Sequence, residues 1–116
     1  MLLVETIDGF PVLSPNGRFD AYLVPAIDST METIFKDNDK PQVIVNLMQV
    51  HFIDAAAVAA LEKWNVIAKE RGGEIKLASL RQTVRMRLDI QHLARFMIYE
   101  DNIQAIEAFQ ADNPSE

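Results

Sequence analysis

The stretch QVIVNLMQVHFIDAAAVAALEKWNVIAKERGGEIKLA, residues 42–78, decides the fold. Residues 42–48 are almost continuously apolar and β-branched through Val43, Ile44, Val45 and Leu47, the pattern of a strand covered on both faces, with Asn46 as its one polar interior residue. A second short apolar run, Val50–Ile53, leads into Asp54. There the period changes. Ala57, Ala60, Leu61, Trp64, Ile67 and Ala68 recur on one helical face, and Glu62, Asn65 and Lys69 fall on the other. Asp54 stands where a short carboxylate accepts from the free N–H groups of a helix start, and Gly72-Gly73 stands where a left-handed C-cap is wanted. Residues 74–78 then read as a strand. Strand, helix and strand over this length predict a βαβ unit with parallel strands and a right-handed crossover.

Upstream, residues 2–7 read as a strand, and Asp8-Gly9 is a turn dipeptide that reverses it into a second strand from Phe10, interrupted at Pro15-Asn16-Gly17 and closing near Phe19. Pro25 suits a first helical turn; Ile27, Met31, Ile34 and Phe35 recur at helical spacing until residues 37–41 end the segment. Downstream, a helix carries Val84 and Leu88, residues 96–99 form a short edge strand, and Ile103, Ile106 and Phe109 mark a last helix before the polar ADNPSE. The expected fold is α/β, a mixed β-sheet with an N-terminal hairpin and about four helices. One domain over residues 1–110 is expected, with 111–116 as a polar C-terminal tail.

Size and charge narrow the function. A chain of 116 residues, 49% hydrophobic, builds one core. Seventeen acidic against 11 basic side chains give a net charge of −6, which repels a phosphate backbone and speaks against nucleic acid as a partner. There is no cysteine for a disulfide or a thiolate metal site. The opening MLLVETID lacks a basic n-region, and no apolar run approaches the roughly 18 to 20 residues of a membrane span. A cytoplasmic protein without membrane insertion is expected.

Enzyme chemistries fall by subtraction. With glycine only at 9, 17, 72 and 73, neither a dinucleotide fingerprint nor a phosphate-cradling loop can be written. His51 and His92 lack the spacing of a helical zinc site, no serine sits in a nucleophile elbow, and no carboxylate pair has a context that would split its pKa values. No catalytic residue, metal or cofactor is expected.

Residues 43–109 resemble the STAS family, the bacterial anti-sigma factor antagonists and their relatives. The likeness is carried by the apolar strand ending in Asn46-Leu47, the Phe52-Ile53-Asp54 step into a helix, the Gly72-Gly73-Glu74 turn, the later amphipathic helix and the terminal Ala105-Ile106 helix. GRFDA, residues 17–21, adds the Gly-Arg-x-Asp step usual in these domains. The resemblance implies a regulatory module that binds an anti-sigma factor or a serine kinase of the histidine-kinase-like ATPase type. In such antagonists an Asp-Ser-Ser/Thr-Gly sequence stands at the helix start, and phosphorylation of the serine adds roughly −1.5 to −2 charges that disrupt docking. Here the positions read Asp54, Ala55, Ala56, Ala57, and no Ser or Thr occurs between Thr33 and Ser79. Ala55 stands in the phosphoacceptor position without a hydroxyl. By the same resemblance, Asp20 and Asp54 mark a partner-facing rim, with Ala55, Ala56, Ala57 and Val58 as its helix edge. Homodimer formation stays open.

The alanines fit two roles: good helix formers packed on a sheet behind an N-cap, or a docking edge held permanently in the unphosphorylated form. At Ala57 a methyl group replaces the family's glycine and would obstruct a close approach. A scaffold in a stressosome-like assembly, or an accessory subunit of a lipid ABC transporter, is the alternative within the family. A receiver domain shares the length and alternation, but the chain turns at Asp8-Gly9 where a receiver needs an acidic pair for Mg²⁺, and no Lys follows Lys76. Arg81, Arg85 and Arg87 cluster after Ala78 and read as a solvated face; Trp64, Met86 and Met97 read as packing residues.

Overall fold

The structure is a computed structural model and describes residues 1–88, 92 and 94–113. Its elements are β1 (Leu2–Ile7), β2 (Phe10–Pro15), β3 (Gly17–Phe19), α1 (Val24–Asp37), β4 (Gln42–Asn46), β5 (Val50–Ile53), α2 (Ala55–Glu70), β6 (Glu74–Ala78), α3 (Gln82–Arg87), β7 (Met97–Tyr99) and α4 (Asn102–Asp112). A mixed sheet runs in the order β1-β2-β4-β6-β7, antiparallel only between β1 and β2. The expected βαβ unit is β4–α2–β6, with its two strands parallel and in register from Gln42↔Glu74 to Asn46↔Ala78.

Local chemistry sets these boundaries. Asp8 and Gly9 both take positive φ, 52° and 86°, the backbone of a two-residue hairpin turn whose twist matches the strands it joins. β4 stops at Asn46, two residues short of the expected 42–48, because the Asn46 side chain accepts from Met48 N–H at 2.9 Å and turns the chain there. The chain then runs through β5, which leaves the main sheet and pairs in parallel with β3 as a separate two-stranded sheet. The last helix continues through Ala111 and Asp112, into the stretch expected as tail; residues 114–116 lie outside the described residues.

The central strands of the main sheet are covered on both faces, as their apolar residues require. On β2 and β4, Leu13, Val43 and Val45 point to one face and pack with Ile27, Met31, Leu61 and Trp64. Val12 and Ile44 point to the other and pack under α4 with Ala105, Ile106 and Phe109. Lys76 is buried on that second face, where Glu74 and Asp112 accept from its Nζ at 2.9 and 3.2 Å. Burial alone would lower the Lys76 pKa, but those two carboxylates outweigh it and hold the ammonium above its ordinary value.

Three expectations need correction. Asn65 is buried, since its Oδ1 accepts from Ile75 N–H at 2.9 Å and its Nδ2 donates to Arg95 O at 3.0 Å; the start of β6 supplies partners that a helix pattern cannot reveal. Met86 and Met97 are exposed, because α3 is six residues long and β7 lies at the sheet edge, with nothing among the described residues covering their outer sides. Trp64 is buried as expected, edge-on to Phe35 at 5.1 Å, and its indole N–H donates to Asp28 Oδ1 at 2.7 Å.

Two outcomes test this packing. A Cβ on Gly73 would lie 1.7 Å from Pro41 O, a backbone atom, while Glu74 N–H donates to that same oxygen at 2.9 Å; Gly73→Ala is therefore expected to cost about 3 kcal/mol in urea unfolding. At Asp28, burial alone would raise the pKa, but hydrogen bonds from Trp64 and Lys63 outweigh it and hold the carboxyl below its ordinary 3.8. Its contribution is present above pH 3.8 and is lost as pH falls through the lower folded value. Asp28→Ala is expected to lose about 1 kcal/mol at pH 7, through the orphaned indole N–H, and to show a shallower decline in stability on acidification.

Candidate functional site

The two-stranded sheet builds the site. Phe19 of β3 and Ile53 of β5 are partners in a parallel pair, so the residues that follow them, Asp20 and Asp54, leave the sheet at the same end. Asp54 N–H donates to Phe19 O at 3.2 Å and closes that end. The Asp54 side chain then works in two directions. Its Oδ1 accepts from Ala57 N–H at 2.9 Å, capping α2, and its Oδ2 accepts from Ala21 N–H at 3.1 Å, across 33 residues of sequence. Asp20 Oδ1 accepts from Tyr22 N–H at 3.1 Å and its Oδ2 lies 3.4 Å from Arg18 Nε. All four carboxylate oxygens thus have internal partners, and the two loops are held to one another before any other molecule arrives.

Exposure sorts the expected rim residues. Ala55 and Ala56 are exposed, and Asp20 and Asp54 are half-buried. Ala57 is wholly buried and Val58 is 8% exposed, both packed in the core, so the helix edge open to a partner is narrower than residues 55–58. The reason is the helical period: with Asp54 turned toward Ala21, the third and fourth residues of the helix face inward. The Ala57 methyl group therefore does not stand in the way of a docking molecule.

Two neighbours of the rim escaped the sequence reading. Tyr22, between Asp20 and α1, is 94% exposed, a large aromatic placed in water. Phe52, on β5, carries two guanidinium groups over its ring, Arg18 at 4.3 Å and Arg87 at 4.5 Å from its centroid. Positive charge is thus gathered beside the rim of a chain whose net charge is −6. The Arg-rich patch divides accordingly: Arg81 precedes α3 and its Nε donates to Met48 O, Arg85 is exposed, and Arg87 reaches Phe52. In the sequence the parts of this grouping stand far apart, Arg18 in the GRF triplet and Arg87 in the cluster with Arg81 and Arg85, and nothing there joins them to Phe52.

A cleft of about 340 Å³ lies beside the helix start, lined in part by Ile53, Asp54, Ala55, Val58, Arg87 and His92. A larger hollow, about 560 Å³, lies apart from it where β4 and β6 end against α4. Part of its polar wall is bonded within itself: Asn46 Nδ2 donates to Asn102 Oδ1 at 2.8 Å and to Ser79 Oγ at 3.3 Å. The rim is the candidate site, although the hollow has the greater volume. Among the described residues no group of three or more His, Asp or Glu is placed to hold a metal ion, and no helix is long and apolar enough to cross a membrane.

Comparison with known proteins identifies the fold. A family model described as STAS domain matches residues 1–106. A candidate anti-sigma factor antagonist from Thermotoga maritima superposes with a TM-score of 0.82 at 18% identity, covering 92% of each chain. An anti-sigma-factor antagonist (STAS) domain protein from Planctomyces limnophilus gives 0.80 at 20% identity, over 92% of this chain and 96% of that one. A sulfate transporter family protein from Wolinella succinogenes gives 0.76 at 17% identity, over 96% and 93%. At these identities the structures attest the shared fold.

The double role of Asp54 is open to test. Asp54→Asn keeps one carbonyl oxygen for the cap on Ala57 but cannot accept a second backbone N–H on its amide nitrogen. Amide exchange at Ala21 is expected to quicken at least about fivefold while that of Ala57 stays near wild type, with a stability loss of about 1 kcal/mol. Equal quickening at both amides would show that the two oxygens do not act separately.

Proposed function

The chain belongs to the STAS family, and on that premise we propose that it is a non-enzymatic, cytoplasmic regulatory module of the anti-sigma factor antagonist kind. It docks an anti-sigma factor or a serine kinase of the histidine-kinase-like ATPase type through Asp20, Asp54, Ala55 and Ala56, with Tyr22 as an aromatic anchor beside them. Docking is not switched by a phosphate at the helix start. The observation that carries this is the exposed methyl group of Ala55, set on a rim already fixed by both oxygens of Asp54. A hydroxyl there would be open to a kinase; a methyl group has nothing to accept a phosphoryl group.

Physical chemistry supports such a surface. A preorganised backbone spares the partner the entropy of ordering two loops, and an exposed Tyr supplies contact area with little rotamer freedom to lose. Buried Ala57 and Val58 serve by holding the edge, not by touching a partner. The likeness to the Wolinella succinogenes protein favours a second role, as the STAS part of a transporter assembly. Co-purification with a transporter subunit in place of a regulator would select it.

The test pairs binding with intact mass. The wild-type protein, incubated with ATP and each anti-sigma kinase of its source organism, is expected to bind one of them and to gain no phosphate. Ala55→Ser is expected to gain one. Ala55→Glu, which places a carboxylate at the same spot, is expected to weaken binding at least about tenfold, ~1.4 kcal/mol, without loss of Tm. Stoichiometric phosphate on the wild-type rim, or binding unaffected by Ala55→Glu, overturns the proposal.

A further inference from the structure

The edge of the main sheet formed by β1 is open, and its backbone has a fixed polarity. Asn16 N–H donates to Met1 O at 2.8 Å, which extends the β1–β2 ladder one step beyond Leu2↔Pro15. In an antiparallel ladder bonded and non-bonded pairs alternate, so Leu3, Glu5 and Ile7 turn their N–H and C=O groups toward β2. Leu2, Val4 and Thr6 turn theirs outward. Proline placement agrees: Pro15 and Pro11, which have no N–H, stand opposite Leu2 and Thr6, at the non-bonded positions.

Apart from Glu5, the devices that usually blunt an edge are missing from this strand. It runs six residues, with an unbroken register and no bulge, no proline and no lysine. Its middle side chains are exposed on both faces of the sheet, Leu3 at 56% and Val4 at 49%. At the opposite edge, β7 has three residues and offers much less.

We propose that β1 pairs antiparallel with β1 of a second copy of this chain, joining two five-stranded sheets into one across a two-fold axis at Val4. Two features select this occupant and this register. Centred on Val4, the pairing sets Val4 against Val4 of the second copy and Leu2 against its Thr6, so that all three outward residues of each strand are used, in about six hydrogen bonds. Its charges agree as well. Glu5, the strand's single charged residue, falls opposite Leu3 of the second copy, whereas centring on Glu5 would oppose two carboxylates and centring on Leu3 would leave Thr6 unpaired. The rim around Asp54 belongs to the other sheet and stays free, so this dimer stands or falls apart from the proposed function.

Sedimentation equilibrium of the full chain from about 1 µM to about 1 mM, with amide exchange at both ends of that range, tests it. A dimer is expected to populate with concentration, and exchange at Leu2, Val4 and Thr6 is expected to slow with it, while Leu3 and Glu5 are slow throughout. Val4→Lys leaves the β1–β2 ladder intact and brings two ammonium groups face to face at the axis, so dimerisation is expected to weaken at least about tenfold. Val4→Pro removes an outward N–H and is expected to act alike; circular dichroism confirms that each variant is folded. Fast, concentration-independent exchange at Leu2, Val4 and Thr6, or a dimer indifferent to Val4→Lys, overturns the proposal. So does capture of this edge by a strand of a different protein in preference to its own copy.

Discussion

The Asp54 carboxylate holds two backbone N–H groups that approach it from separate parts of the chain, and the site depends on that grip. One oxygen fixes the start of α2 and the other fixes the loop that leads into α1. A carboxylate suits the task because it accepts on both oxygens, whereas a serine cap would offer one and leave Ala21 to solvent. Behind it, the parallel pairing of Phe19 with Ile53 brings the two loops within reach, and both of those side chains are buried. Sheet register, core burial and cap are thus one arrangement, and shifting any of them by a residue would separate Asp20 from Asp54.

Much of the fold is legible in the sequence because its longer elements repeat their pattern often enough. β4 is apolar on both faces, β6 follows the Gly72-Gly73 turn with Ile75 and Leu77 on its apolar face, and α2 shows its buried stripe over sixteen residues. β3 and β5 have three and four residues, too few for a period of two to announce itself, and their pairing in a separate sheet is set by where Asn46 turns the chain. Asn65 misleads for a related reason. A polar residue on a helix ordinarily faces water, but here β6 begins beside it and supplies a donor.

The candidate site is legible only in part. Asp54 as a cap, and Asp20 as its neighbour, follow from the residue types and the family pattern. Exposure does not. Ala57 and Val58 follow Ala55 by two and three residues and are equally apolar, yet they face the core because Asp54 fixes the rotation of the helix. Tyr22 and the Arg18–Phe52–Arg87 group lie on three segments of chain, and their association exists only after β3 and β5 pair.

Short polar side chains at strand exits recur through the molecule. Asn46 turns the chain after β4, Asp54 caps α2 after β5, and Asp101 caps α4 after β7, accepting from Gln104 N–H at 2.9 Å. Each accepts from a backbone N–H that would otherwise be orphaned where a regular ladder stops. The exits of β3 and β5 differ in having the exposed Ala55, Ala56 and Tyr22 beside them. The Asp20 and Asp54 carboxylates are already satisfied from within the chain, so on the proposed reading recognition rests on side-chain shape and charge: methyl groups, one phenol ring and the guanidinium groups over Phe52. A phosphate added to such a surface would meet those guanidinium groups on one side and two carboxylates on the other. Asp54 immediately precedes Ala55, so a negative charge added at that position would stand beside like charge on the proposed docking rim.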